Sequence, residues 1–149
     1  MYTSNQNKNV KHKSFNYSFL GVGTAVPFDP LRHLERYLHD GKCQDIFKTL
    51  IRKGTSVIPG TTSAEDVFNS QTCQRADVEI YRTEIDPPPM YTTECKHVAN
   101  LQLTFDETTD CVPIRVKIDF GHVNATVSAM KDGPGQQDVV TASINWFMD

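Results

Sequence analysis

The chain predicts a mainly β fold: an antiparallel β-sandwich, or a related barrel, of about seven or eight short strands with one short inserted helix near residues 30–40. Three observations lead there. Apolar and polar residues alternate with period two in one segment after another. Gly- and Pro-containing breaks recur at roughly ten-residue spacing. One stretch alone carries a period near that of a helix. At 149 residues, with 38% of them apolar, the chain is one domain with enough apolar material for a packed core.

Residues 1–14 hold three lysines, no acid and almost no apolar residue, so they are expected to form a disordered polar tail ahead of a domain over 15–149. FNYSFLGVGTAV, residues 15–26, is aromatic and β-branched and reads as a strand, with glycines where another backbone approaches. Its GVGT lacks the Lys-Ser/Thr of a phosphate loop. FDPLRHLERYLHDG follows as the helix signal. Asp29 suits the cap, Pro30 the first helical position and Gly41 the left-handed stop, and Leu31, Leu34 and Leu38 make one apolar stripe. About ten residues of helix cannot stand alone, so the stripe is expected to dock.

Strands then dominate. IFKTLI, TSV ahead of the Pro59-Gly60 turn, and DVFNSQ are short ones. ADVEIYRTE alternates cleanly, with Ala76, Val78 and Ile80 on one face and Asp77, Glu79 and Tyr81 on the other. Pro87-Pro88-Pro89 cannot donate to a ladder and is a loop. NLQLTFDE, PIRVKIDF and ATVSAMKD follow, the last two as a hairpin turning near Gly121, and DVVTASINWF closes the series.

Fifteen Lys and Arg against 18 Asp and Glu give a charge of −3, so no basic field is present to hold nucleic acid. No apolar run is long enough for a membrane helix, and the N-terminus lacks a signal-peptide core, so a cytoplasmic protein with no membrane partner is expected. Cys43, Cys73, Cys95 and Cys111 include no Cys-x-x-Cys pair; they suit reduced thiols, the rival being one disulfide in an oxidising compartment. Cys95 and His97 share a strand face, yet no motif supports catalysis there. Asp106, Glu107 and Asp110 lack the oxygen pattern of a calcium loop. With no converging acid, base or nucleophile, an enzyme is not expected, and neither a metal nor a cofactor. A sheet with open edges naturally takes an extended peptide.

The order SFLGVGTA, IFKTLIRKGTSVIP, DVFNSQ, ADVEIYRTE, VANLQLTFDE and PIRVKIDFGHVNATVSAMKD resembles the β-sandwich substrate-binding domain of the seventy-kilodalton heat-shock chaperones, over roughly residues 15–148. TLIRKGTSVIP, DVEIYRTE and the closing hairpin carry most of the likeness. YSFLGVGTAVPFDPLRH, the Gly41–Phe47 stretch and ASINWF are similar to the divergent heat shock 70 kDa protein 12 branch. The resemblance implies a chaperone-type module of stress response and protein quality control that clasps an extended or unfolded polypeptide between loops at the top of the sandwich. The family's ATPase domain and helical lid have no counterpart in this sequence, so ATP binding is not expected. The alternative is a regulatory or interaction fragment that keeps the sandwich, has lost peptide binding and docks folded protein partners.

Carried over residue by residue, the resemblance places Val22, Phe68, Ala76 and Val78 in the peptide cleft, with Ala25 to Phe28 and the insertion arching over it. Asn124 stands where the family has a large apolar residue, and Ala76 replaces a bulkier one, which removes a few kcal/mol of apolar burial for a Leu-type side chain. Val22, Phe68, Val78 and Ile80 suit plain core equally well.

Overall fold

A computed structural model describes residues 13–15, 18–71, 74–105, 112–121, 124–134 and 138–145. In chain order the strands are β1 (Lys13–Phe15), β2 (Phe19–Pro27), β3 (Leu38–His39), β4 (Lys42–Ile51), β5 (Thr55–Val57), β6 (Thr61–Asn69), β7 (Arg75–Thr83), β8 (Lys96–Thr104), β9 (Pro113–Phe120), β10 (Asn124–Lys131) and β11 (Val139–Asn145). They form a five-stranded sheet of order β3-β4-β2-β7-β8, a four-stranded sheet of order β11-β10-β9-β6, and a small β1–β5 pair. Every pairing is antiparallel. The expected β-sandwich is present.

Alternation dictates the core. In β9, Ile114, Val116, Ile118 and Phe120 are buried while Arg115, Lys117 and Asp119 are not, and β7 buries Ala76, Val78 and Ile80 in the same way. These side chains meet Leu20, Val22, Leu101 and Val127 from the other strands in one continuous cluster. The sheets meet where β8 lies against β11 and, at the other edge, where β4 lies against β6. At that second edge Lys48 Nζ reaches Asp66 Oδ2 at 3.0 Å and stands 5.5 Å over the Phe68 ring.

The expected tail lies outside the described residues except for Lys13 and Ser14, which pair with Val57 and Ser56. The insertion departs further. In place of a helix over 30–40 it forms a single 3-10 turn, Glu35–Tyr37, and the Leu stripe does not dock: Leu31 is 94% exposed. The cause is competition from aromatic contacts and turn chemistry. Tyr37 stacks on Tyr91 at 3.9 Å between centroids, its hydroxyl hydrogen-bonds Thr93 Oγ1 at 2.8 Å, and the Leu34 N–H donates to the Tyr91 hydroxyl at 2.8 Å. Asp29 Oδ1 accepts from the Leu31 N–H, closing a turn where a helix was expected to start. Asp40 and Gly41, at φ 50° and 75°, are the two residues of a hairpin joining β3 to β4, the role that Asp-Gly fills in a type I′ turn, so Gly41 ends no helix. Tyr37, Cys43 and Tyr91 thus make a second, small core with Val26, Phe28 and Ile46.

Candidate functional site: a fork in the five-stranded sheet

β2 and β7 pair from Phe19↔Thr83 to Val22↔Ile80 and then part. Beyond that point β2 continues on β4 as far as Pro27↔Lys42, whereas Arg75–Glu79 of β7 pair only with β8. The sheet therefore forks. Along an antiparallel strand, successive residues turn their N–H and C=O to alternate flanks. Both main-chain groups of Asp77 are bonded by the Gln71 side chain, which puts them on the flank of β7 away from β8, and the period of two puts the Glu79 main-chain groups on that same flank. Among the described residues no strand lies between them and Gly23–Ala25 of β2.

A groove of about 820 Å³ occupies the fork. Its floor is apolar: Val22, Ala76, Val78 and Ile114, all buried, with half-buried Phe68 and exposed Val67 along the β6 side. Its rim is acidic, with Asp40, Asp45, Asp77 and Glu79 against Lys42. Three of these acids are already engaged: Asp40 Oδ2 lies 3.4 Å from His39 Nε2, and Asp77 and Glu79 have partners of their own. Arg75 donates from Nε to Asp77 Oδ2 at 3.0 Å, and Glu79 Oε1 lies 3.0 Å from His97 Nε2 while accepting from Asn100 Nδ2 at 3.1 Å. Asp45 holds φ 58° close to the irregularity between β2 and β4. Tyr81 and Thr92 wall the side next to Gly23, and burial, then the Glu79 carboxylate, pushes the Tyr81 phenol up.

Of the sequence candidates, Val22, Phe68, Ala76 and Val78 converge on this groove. Asn124 does not. It lies at the other end of the closing hairpin, opposite Asn145, its carbonyl accepting from the Gly121 N–H at 2.8 Å, and the buried residue at the start of β10 is Ala125. The strand β10 runs antiparallel to β9, so its first residues sit beside Phe120, whereas the groove reaches Ile114 at the start of β9. Residues 25–28 and the β3–β4 turn stand at the rim, through Ala25, His39 and Asp40. Sequence reasoning missed the acidic rim and Gln71, because the carboxylates come from separate elements and no motif joins them.

Chemistry of a covalent kind finds little support in the thiols. Cys43 and Cys95 are free; Cys73 and Cys111 lie outside the described residues, as do Asp106, Glu107 and Asp110. His97 turns to Glu79, not to Cys95, whose Sγ lies 3.7 Å from the Tyr91 carbonyl oxygen. Burial, then the Glu94 carboxylate, pushes the Cys95 thiol up to about 11. Near pH 8 its thiolate is then about a hundredfold scarcer than for an ordinary thiol, and iodoacetamide should label it about a hundredfold more slowly than a cysteine in a short peptide. Labelling at the peptide rate, read by mass mapping, would contradict that microenvironment. Among the described residues no group of three or more His, Cys, Asp or Glu is placed to hold a metal, and no helix is long and apolar enough to cross a membrane.

No family model matches the chain, and no curated protein matches it.

Proposed function

We propose that this chain is a polypeptide-binding module, as the resemblance to the substrate-binding domain of the seventy-kilodalton chaperones implies, and that it holds the extended segment in the fork between β2 and β7. The single observation that carries this reading is the parting of β2 from β7 after Val22 and Ile80, which leaves a stretch of β7 with no neighbouring strand on that flank, among the described residues, beside an apolar floor. An extended chain entering there supplies the missing strand. Main-chain hydrogen bonds give affinity without regard to sequence, and the Val22–Phe68–Val78 floor selects an apolar side chain. The acidic rim favours cationic residues on either side of it. The module's place in stress response and protein quality control belongs to the same proposal.

Fluorescence anisotropy tests it with two fluorescein-labelled peptides, one Leu-rich with lysine flanks and one wholly polar. The Leu-rich peptide should bind the more tightly, and Phe68→Ala should weaken it about tenfold, about 1.4 kcal/mol. Phe68 also packs on the core, so the variant's thermal unfolding is followed in parallel. If neither peptide binds below about millimolar and Phe68→Ala changes nothing, the cleft reading is lost.

A second reading, that the module docks folded partners, is favoured by one observation: Leu31, Leu34 and Leu38 stand 94, 49 and 42% exposed on the insertion. It requires a partner whose capture is abolished by Leu31→Ser and untouched by Phe68→Ala.

A further inference from the structure

We infer that Gln71 is a built-in stand-in for the bound chain, occupying the main chain of Asp77 until a peptide strand displaces it. This inference rests on the groove reading above and specifies how the site is kept closed. Gln71 Nε2 donates to the Asp77 carbonyl at 3.0 Å, and Gln71 Oε1 accepts from the Asp77 N–H at 3.0 Å. One carboxamide thus satisfies both main-chain groups of a single β7 residue, which is the pattern one residue of a neighbouring strand makes with its partner in a hydrogen-bonded antiparallel pair. The flank concerned is the one the fork exposes, because Asp77 meets Gln102 of β8 on its other side.

The side chain is held ready for this role. Its neighbour Ser70 is buried and clamped to β9's lead-in: the Ser70 N–H donates to the Val112 carbonyl at 2.8 Å, and Ser70 Oγ accepts from the Val112 N–H at 2.8 Å. Arg75 fixes the Asp77 carboxylate on the strand face, so the main chain of Asp77 alone is left to Gln71. Gln71 itself is exposed and lines the groove, so it can swing into water without leaving a cavity. Among the described residues no side chain makes the same pair of contacts with the main chain of Glu79, two residues along the same flank, so the groove is blocked at one rung and open at the next. An incoming strand that pairs with β7 at Glu79 must evict Gln71 to extend its ladder to Asp77.

The consequence is kinetic. Contacts present only in the free protein raise the barrier to association and leave dissociation alone. Gln71→Ala should therefore bind the labelled Leu-rich peptide roughly threefold to tenfold more tightly, with the gain in the association rate measured by stopped-flow anisotropy and the dissociation rate unchanged. Were the carboxamide merely closing the β6–β7 connection, Gln71→Ala would lower the melting temperature and leave association as slow as before. Unchanged or weakened affinity in Gln71→Ala, while Phe68→Ala still weakens binding, overturns the stand-in and spares the groove. If no peptide binds either protein, or Phe68→Ala has no effect, the groove reading fails and this inference with it.

Discussion

Phe120→Ala is expected to cost about 3–5 kcal/mol of unfolding free energy, the range for emptying an aromatic site in a core. Among the described residues Phe120 is the largest fully buried side chain, 1% exposed, and it ends the strand β9. The cost is high because its surroundings cannot close in. Its backbone is paired on both sides, to Thr61 of β6 and Ala125 of β10, and its carbonyl accepts the Gly60 N–H at 2.6 Å. A single domain has about 5–15 kcal/mol in all, so this one ring is a large share. Urea denaturation should show a lower midpoint with the slope unchanged. Leu31→Ala, at a side chain 94% exposed, serves as the control and should stay within about 0.5 kcal/mol of the parent. A loss under about 1 kcal/mol at Phe120 would place the core elsewhere.

Gly21→Ala should destabilise by about 1–3 kcal/mol although it adds a single methyl group. A Cβ at this position would be driven into the carbonyl of Lys48 and would meet the Phe47 ring at 3.0 Å. The obstacle is main chain, and Lys48 is held in the ladder opposite Val22, so relief means shifting β4 away from β2. The site coincides with the register shift between Leu20 and Gly21, where the two backbones come unusually close. Gly54→Ala makes the useful comparison, since nothing lies within 4 Å of its Cβ and any cost there comes from its φ of 90° alone. A neutral Gly21→Ala in the same urea assay would mean that the β2–β4 contact is looser than described.

Strands and core were legible because period-two alternation is a local property. PIRVKIDF has the bounds Pro113–Phe120 in sequence and structure alike, and its apolar residues are the buried ones. The insertion was not legible in the same way. Leu31, Leu34 and Leu38 form a convincing stripe, but the contact that decides the local conformation is Tyr37 with Tyr91 and with Thr93, the latter 56 positions away. Gly41 was read as a helix stop, whereas Asp40-Gly41 is a dipeptide that also suits a two-residue hairpin, which is the use the structure makes of it. For the groove, Val22, Phe68, Ala76 and Val78 were accessible through the resemblance, whereas the fork is a matter of which strand stops pairing with which. Neither the Gln71 carboxamide on Asp77 nor the displacement of Asn124 to the far end leaves a trace in composition or spacing.

The two seams of the sandwich are unlike: one is closed by hydrocarbon, and the other includes an exposed ion pair. Along β8 and β11 the join is hydrocarbon, with Leu101, Leu103, Val140 and Ile144 in the shared cluster, and dissolved salt does not loosen such a join. Along β4 and β6 it includes the half-exposed Lys48–Asp66 clasp, which stands beside Phe68 at the groove. Burial tends to raise the Asp66 carboxyl, but Lys48 and the Val67 N–H outweigh it and hold it below the usual carboxylate range. What the clasp contributes is therefore intact above that range and lost only as pH falls through the depressed value. So exposed a pair adds little to stability, and that small contribution is the part of the sandwich joint that fades as ionic strength rises.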